Sequence, residues 1–397
     1  MHLRNILILL FCQLISATGA IIMVTLGGII GARLSPNPAF ATLPVSIMVL
    51  SIAATTIPAT ILMRRIGRKA GFAISSSSAI AALAIALYAL NAVSFGMFAL
   101  AAALFGINMA FTQQYRYAAV ESVNASFAPR AISLVLLGAI GGALVGPELV
   151  RYGQDFFPAV QYAGTLAALA AMYFVQVALI LSLGPLHGEE PGHEHKPQRP
   201  IGAIVRQPVF IVAVLGGCTA YGVMTLIMTA TPLSMHIKDG YTLDQTAQII
   251  RSHVLGMYVP SLFSGFLIEK LGTVRMMSFG ALALLSASLI GLQGHSYLHY
   301  WYALILLGIG WNFLYVGGTS MLTVTYSMNE RFKAQAVNEF TVFGTSATAS
   351  LLAGTVIQLY GWYSLVVIPL PLLFVILASL FMVRRDPLVR RLAPKGA

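Results

Sequence analysis

Residues 6–30 read ILILLFCQLISATGAIIMVTLGGII, a continuous apolar run without a charged side chain. A helix rises about 1.5 Å per residue, so about 20 apolar residues cross the hydrocarbon core of a bilayer. This run is longer than the apolar core of a cleaved signal peptide. It therefore predicts an uncleaved first transmembrane helix.

Similar apolar runs recur along the chain, which has 397 residues, 58% of them hydrophobic and 9% charged. The mean hydropathy is +0.84, whereas a soluble domain carries about 25% charged residues. Lipid offers the backbone no hydrogen bonds, so spanning segments are helices or strands of a closed barrel, and continuous runs indicate helices. The sequence predicts an all-α membrane protein with twelve transmembrane helices. The predicted helices cover residues 6–32, 40–63, 70–91, 95–123, 131–151, 159–183, 209–236, 245–268, 275–294, 300–324, 335–358 and 362–383.

The longest polar stretch, residues 184–208, divides six predicted helices from six. We expect an N-terminal six-helix bundle in residues 1–183, a cytoplasmic linker in 184–208, and a C-terminal six-helix bundle with a short cytoplasmic tail in 209–397. Polar landmarks recur in the two halves, since RIGR at residues 65–68 matches KLGT at residues 270–273. Two pseudo-repeats are therefore predicted, and in such proteins a ligand site lies near the membrane midplane.

The formal net charge of +11 is distributed unevenly among the helix ends. Most Lys and Arg residues fall at alternate ends, together with the linker and the C-terminal tail. The exceptions at the opposite ends are Arg33, Arg151, Lys238 and Arg251. Under the positive-inside rule, this pattern predicts a multi-pass protein of a bacterial cytoplasmic membrane with both termini in the cytoplasm. The positive charge thus indicates a lipid bilayer, and not nucleic acid, as the partner.

Two loop sequences resemble the motif GxxxDRxGRK of the major facilitator superfamily. RIGRK at residues 65–69 resembles its second half, and GFLIEKLG at residues 265–272 resembles the copy in the C-terminal half. The first copy departs from the motif, with Thr60 in place of Gly and Arg64 in place of Asp. The resemblance implies the major facilitator fold and secondary transport. It assigns a gating loop to Arg65, Gly67, Arg68, Glu269 and Gly272.

The fifth predicted helix contains GALVGP at residues 142–147, which resembles the GxxxGP element associated with antiporters. Small residues let helices approach closely, so the element by itself predicts tight packing. It leaves a proton-coupled drug efflux antiporter as one alternative function.

Soft metal ligands recur at helical spacing in the seventh and eighth predicted helices. Met224 and Met228 lie four residues apart, as do His253 and Met257, and residues four apart share a helix face. Counted from the intervening turn, Met228 lies at the depth of His253, and Met224 at that of Met257. Thioether and imidazole groups suit Cu(I), whereas hard cations prefer oxygen ligands. We therefore expect a transported copper ion and no permanently bound cofactor. Met235 and His236 are candidates for metal entry.

These pairs, together with GIGWNF at residues 308–313, resemble the CcoA-like copper importers, a branch of the major facilitators. The resemblance implies that Met224, Met228, His253 and Met257 handle copper during uptake, which supplies copper for haem–copper oxidase assembly. The same branch also resembles riboflavin transporters. Riboflavin or another small organic solute is therefore the alternative substrate.

Several polar residues also fall within the predicted helices. Charged groups in a bilayer usually face the bundle interior, and a carboxylate with a raised pKa can carry protons. Glu121 and Glu339, with Arg116, are accordingly candidates for proton coupling, and a structural ion pair is the alternative. The candidates for a polar cavity are Gln113, Gln114, Asn312 and Asn338. A polar cavity in the N-terminal half favours an organic ligand such as a flavin.

Sequence motifs for other chemistry are absent. The chain has no GxxxxGK phosphate loop, no HExxH and no CxxC. A membrane enzyme or a sensor would need a catalytic pair within a helix or a cytoplasmic domain, and the predicted linker is too short for one. We expect a monomeric transporter rather than an enzyme, with a small molecule or a metal ion as substrate.

Overall fold

The computed structural model describes residues 2–122, 128–154, 156–157, 160–184, 199–327 and 330–390, which form helices joined by short turns and contain no strand. The helices are α1 His2–Leu34, α2 Leu43–Ile66, α3 Arg68–Asn91, α4 Phe95–Thr112, α5 Tyr115–Glu121, α6 Ala128–Gly153, α7 Ala163–Leu181, α8 Ile201–Val205, α9 Pro208–Pro232, α10 Leu243–Tyr258, α11 Ser261–Leu271, α12 Thr273–Gly291, α13 Tyr297–Thr323, α14 Arg331–Leu359, α15 Gly361–Val367, α16 Leu370–Val383 and α17 Pro387–Arg390. The all-α class is confirmed.

Ten helical segments in the described part of the chain are long and apolar enough to cross a membrane. The two remaining predicted segments are also helical. One is α6, with 26 residues, and the other is divided between α10 and α11. The predicted membrane architecture thus has a helical counterpart for each of its segments.

Three segments predicted as continuous helices are interrupted. The segment at 245–268 breaks between α10 and α11, where Pro260 has no backbone N–H to continue the helical hydrogen bonds. Pro369 stands at the similar break between α15 and α16. The segment at 95–123 breaks after α4, and α5 begins at Tyr115. The prediction from hydropathy missed these interruptions because they leave the apolar character of the segment unchanged.

The turns at Gly67 and Gly272 have the same backbone conformation. Gly67 joins α2 to α3 with φ 84° and ψ 153°, and Gly272 joins α11 to α12 with φ 84° and ψ 152°. Glycine adopts positive φ at no steric cost. The two matching segments that suggested an internal repeat, residues 65–68 and 270–273, thus share a turn conformation as well as a sequence pattern.

The chain divides into two compact units. The first comprises Met1–Pro191 and Thr229–Arg251, and the second comprises Gly192–Met228 and Ser252–Ala397. One boundary lies between Pro191 and Gly192, within the predicted linker, and two more fall inside α9 and α10, so the turn between these helices belongs to the first unit.

In the first unit, α6 packs against α1 through small residues. A Cβ atom on Gly142 would lie 2.6 Å from the Cβ of Ala17, and one on Gly138 would lie 2.4 Å from the carbonyl oxygen of Leu10. Only glycine permits this separation. Gly142 of the GxxxGP element therefore serves the tight packing that the sequence predicted, and Gly138 one turn earlier extends the same contact.

Charged side chains connect α6 to the start of α10 within the first unit. Arg251 donates to Glu148 at 3.3 Å, and Arg151 lies 3.4 Å from Asp244. These groups are partly exposed, so each pair contributes little to stability by itself. The pairs neutralise two of the basic residues that the charge analysis placed at outer helix ends.

In the second unit, the end of the linker is bound to the turn before α14. Arg199 donates to both carboxylate oxygens of Glu330, with Nε–Oε1 and Nη2–Oε2 distances of 2.9 Å and 2.7 Å. The Ser327 backbone N–H also donates to Glu330. These donors hold the pKa of the buried Glu330 carboxyl well below its usual range, with Arg199 the largest cause. Residues 185–198 of the linker lie outside the described part of the chain.

Candidate functional site

His253 is fully buried on α10, and its ring is fixed by the neighbouring helix α13. Nδ1 lies 2.8 Å from the backbone carbonyl oxygen of Leu304. Because a carbonyl only accepts, Nδ1 carries the proton and Nε2 keeps its lone pair. Within the described residues, Nε2 has no hydrogen-bond partner. The imidazole thus faces the protein interior and offers a free acceptor.

The three methionines predicted to act with His253 are also buried in the second unit. Met224 and Met228 lie on α9, and Met257 lies one turn after His253 on α10. Their thioethers face protein rather than lipid, as both a packing role and a ligand role require.

The two residues proposed for metal entry belong to the first unit and lie in the π-helical turn Leu233–Lys238 that follows α9. Met235 is fully buried. His236 is half-buried, and its Nδ1 lies 2.8 Å from the carbonyl oxygen of Tyr241. This contact holds the histidine against the turn before α10.

Asn312 on α13 binds the residues on either side of the break between α10 and α11. Its Nδ2 donates to the carbonyl oxygen of Met257 at 2.8 Å and to the hydroxyl of Ser261. Its Oδ1 accepts from Ser264 at 2.6 Å. Pro260 interrupts the helical hydrogen bonds here, and the asparagine supplies replacement partners. The hydrogen-bonding groups of the fully buried Asn312 amide are thus used to hold α13 against the helix break.

The remaining polar candidates differ in their surroundings. Asn338 is buried on α14, and Glu339 beside it is half-buried. Arg116 is half-buried on α5, and Gln113 at the end of α4 is exposed. Glu121 closes α5, but its side chain and that of Glu269 lie outside the described part of the structure. Of the three residues predicted to take part in proton coupling, the structure thus describes the side chains of Glu339 and Arg116.

Gln114 joins the predicted gating loop of the first unit to α5. Its Oε1 accepts from Arg68 at 3.2 Å, and its Nε2 donates to the Thr60 hydroxyl at 3.3 Å. Arg65 on the same loop is exposed. Thr60, which departs from the family motif, therefore takes part in a contact that the usual glycine could not make.

A cluster of five aromatic rings, which is not among the sites predicted from the sequence, lies in the second unit. Trp311 and Tyr315 of α13 are stacked, with centroids 5.2 Å apart and an angle of 20° between the rings. Tyr221 of α9 meets both edge-on, at 5.3 Å and 5.0 Å. Tyr258 of α10 lies 6.2 Å from Trp311, and Phe343 of α14 lies 5.3 Å from Tyr221. We call these five residues the aromatic cluster.

The aromatic cluster can bind a flat, uncharged ring system. Its three tyrosines are half-buried, whereas Trp311 and Phe343 are buried. Aromatic rings favour stacked and edge-to-face contacts with further rings. The spacing of Trp311 and Tyr315, four residues apart, was the available signal in the sequence. The other three rings come from separate helices, and their convergence depends on how those helices pack.

The apolar helices are those of a polytopic membrane protein, and the two glycine turns mark a repeated structural element. The family model described as Major Facilitator Superfamily matches residues 7–250 and 240–397. The chain therefore belongs to the major facilitator superfamily, and it is a secondary transporter rather than an enzyme.

The chain is similar along its length to proteins described as transporters. It is 37% identical over 395 residues, which is 99% of this chain and 97% of the relative, to the riboflavin transporter RfnT of Brucella anthropi. It is 28% identical to the uncharacterized MFS-type transporter YdeG of Bacillus subtilis, over 90% of this chain and 86% of the relative. It is 26% identical to YddS of the same organism, over 90% and 85%. The name of the Brucella relative supports the organic-solute alternative better than it supports copper.

Proposed function

We propose that this chain carries riboflavin across a bacterial cytoplasmic membrane by alternating access, as a monomer with both termini in the cytoplasm. The observation that carries the proposal is the 37% identity, along nearly the full length of both chains, to a protein named as a riboflavin transporter. Riboflavin uptake is thus preferred here to the copper uptake that the methionine and histidine pairs suggested.

The aromatic cluster gives this proposal a physical basis. Riboflavin has a flat, three-ring head without a formal charge, and ring faces and edges of the cluster suit such a group. Ligand sites for small molecules are lined mainly by apolar and aromatic side chains, with a few polar groups that fix orientation. The tyrosine hydroxyls and the buried Asn338 can provide polar groups of this kind.

Proton coupling is part of the proposal. Glu339 is a half-buried acid on α14, and a carboxylate within a transmembrane helix usually has a functional role. Glu121 and Arg116 are the corresponding candidates in the first unit. A proton that binds the carboxylate from one side of the membrane and leaves to the other side would drive the change between the outward-open and inward-open states.

Copper remains a second candidate because of one observation. The Nε2 atom of His253 is buried without a partner among the described residues. A neutral imidazole nitrogen with a free lone pair is the form of histidine that binds a metal. Met257 follows one turn later on the same helix. Imidazole and thioether are together suited to Cu(I).

One comparison in the same cells tests both candidates. The chain is expressed in a riboflavin-auxotrophic bacterial host without its own riboflavin carrier, and accumulation of labelled riboflavin and of total copper is measured. A matched host carries the empty vector, and a third carries the double variant His253→Ala/Met257→Ala. We expect the chain to raise riboflavin accumulation and leave copper at the level of the empty vector.

The opposite pattern would overturn the proposal. If copper rises, riboflavin does not, and the double variant abolishes the copper signal at equal protein abundance, the chain is a copper importer. If neither solute accumulates, loss of preloaded fluorescent drugs from the same cells tests the remaining alternative, a proton-coupled efflux antiporter.

A further inference from the structure

The Trp311 side chain contains a buried hydrogen-bond donor that the fold does not use. The residue is 5% exposed, and its Nε1 has no hydrogen-bond partner among the described residues. The other two tryptophans have partners, since Trp301 donates to the Ser252 hydroxyl at 3.2 Å and Trp362 donates to the Gly291 carbonyl at 3.0 Å. A buried donor without an acceptor costs free energy. Trp311 is therefore the exception among the indoles of this chain.

The position of this donor points to a ligand. Trp311 touches three half-buried tyrosines of the aromatic cluster, which come from α9, α10 and α13. A planar molecule that contacts these rings would also lie beside the indole of Trp311. A carbonyl oxygen or an unprotonated ring nitrogen on that molecule would satisfy the indole N–H.

We propose that the aromatic cluster is the substrate site, and that the indole N–H of Trp311 donates to a ring carbonyl or ring nitrogen of a neutral heteroaromatic substrate. This inference rests on the proposed transport of riboflavin and names the part of the solute that is recognised. The three-ring head of riboflavin carries both kinds of acceptor. Its sugar-alcohol chain, which has no ring face, is not the recognised group.

The charge near the aromatic cluster adds a second element of specificity. Glu339 precedes Phe343 by four residues on α14, so the two side chains share a helix face. None of the five clustered residues is cationic, so the aromatic cluster itself offers no ion-pair partner to an anionic phosphate. The site therefore selects unphosphorylated riboflavin over its 5′-phosphate.

Binding to the purified full-length chain tests this assignment. Riboflavin is titrated in detergent, and binding is followed by quenching of flavin fluorescence. Trp311→Phe keeps a ring and removes the donor, so we expect affinity to fall about tenfold. Tyr221→Leu removes a ring face and should weaken binding to a similar degree.

Two variants of α13 are matched controls. Trp301→Phe removes an indole that bonds Ser252, and Tyr302→Leu removes a ring that is 51% exposed. Both should bind riboflavin as the wild type does. Lumichrome, which has the ring system without the sugar alcohol, should compete with riboflavin, while ribitol should not and riboflavin 5′-phosphate should compete only weakly.

A second measurement leaves the cluster intact, in case its variants fail to fold. The chain has three tryptophans, so Trp301→Phe/Trp362→Phe retains Trp311 alone. We expect saturating riboflavin to quench its emission, and to quench a chain retaining only Trp362 less strongly. If the wild type binds riboflavin but folded Trp311→Phe and Tyr221→Leu bind equally well, or Trp311 emission does not respond, the site lies elsewhere and this inference is wrong while the proposed function stands. If the wild type neither binds nor transports riboflavin, the proposed function fails with it.

Discussion

At the residue scale, the buried polar side chains of the second unit divide into two kinds. Both the Nδ2 and the Oδ1 of Asn312 have hydrogen-bond partners, whereas Trp311 and His253 each keep a buried polar atom without a partner among the described residues. Saturated groups stabilise a fold, and unsatisfied groups often mark functional sites. The neighbouring residues Trp311 and Asn312 thus differ in whether the described fold uses their buried polar atoms.

Replacement of Asn312 by leucine should destabilise the protein strongly. The variant removes the three hydrogen bonds that the amide makes at the helix break and leaves the Met257 carbonyl with only the longer contact from Ser261, at 3.4 Å. Loss of a partner costs about 1–3 kcal/mol for a buried polar group. The midpoint of thermal unfolding in detergent, measured by loss of monodisperse protein, should fall.

A matched control is available for this prediction. Asn91→Leu removes an exposed amide whose hydrogen bond, among the described residues, is to Leu87 of its own helix, and its midpoint should change little. Equal midpoints for the two variants would show that Asn312 does not support the break.

At the element scale, close backbone contacts between helices set the geometry of the site. Gly308 of α13 lies against α10, where an added Cβ would stand 2.5 Å from the His253 carbonyl oxygen and 2.9 Å from the Met257 nitrogen. Backbone atoms cannot rotate away as a flexible side chain can. This contact therefore fixes the separation of the helices that carry His253, Tyr258 and Trp311.

Gly308→Ala should consequently force α10 and α13 apart. Overpacking of this kind costs about 1–3 kcal/mol, so we expect a lower unfolding midpoint and weaker riboflavin binding. Gly344→Ala on α14 is the control, because a Cβ there meets nothing within 4 Å. A Gly308→Ala protein with wild-type stability and affinity would contradict the account of this contact.

The contact between Arg199 and Glu330 should make stability depend on pH. The carboxyl has an ordinary pKa of 4.5, and the folded protein holds it well below that value. The stabilisation is therefore fully present above about pH 4.5 and declines as the pH falls towards the lowered pKa, because the unfolded chain binds a proton first.

The Glu330→Gln variant tests this dependence. We expect its unfolding midpoint to lie below that of the wild type at pH 7, and the difference to shrink at pH 4. Because Arg199 is partly exposed, high salt should reduce the same difference. A difference that stays constant between pH 7 and pH 4 would exclude the ion pair as its source.

Hydropathy could predict the helices but not their interruptions or their neighbours. Apolar length follows from the bilayer, so each predicted segment has a helical counterpart. The break before Tyr115 depends on local geometry that leaves average hydropathy unchanged. Trp311 and Tyr315 shared a visible helix face, but Tyr221, Tyr258 and Phe343 are brought to them by packing. The aromatic cluster therefore could not be predicted from the sequence of any single helix.

At the scale of the whole molecule, the distribution of basic residues makes a testable prediction about topology. Cys12 and Cys218 are both buried, so the natural chain should react little with an impermeant thiol reagent. Lys238→Cys lies in the exposed turn before α10, and Gly202→Cys lies in α8, where nothing stands within 4 Å of an added Cβ.

In spheroplasts of a bacterial host, the reagent should label Lys238→Cys and should label Gly202→Cys only after the membrane is permeabilised. This result follows from the positive-inside rule, which places the linker in the cytoplasm. The reverse labelling pattern would show that the predicted orientation is inverted.

Riboflavin counterflow in proteoliposomes is the most direct test of the proposed function. Vesicles that contain the purified chain are loaded with unlabelled riboflavin and diluted into a trace of labelled riboflavin. We predict transient accumulation of label, reduced in Trp311→Phe vesicles and absent from vesicles without protein. Label that never exceeds the level in protein-free vesicles, despite correctly folded and inserted protein, would contradict the claim that this chain carries riboflavin.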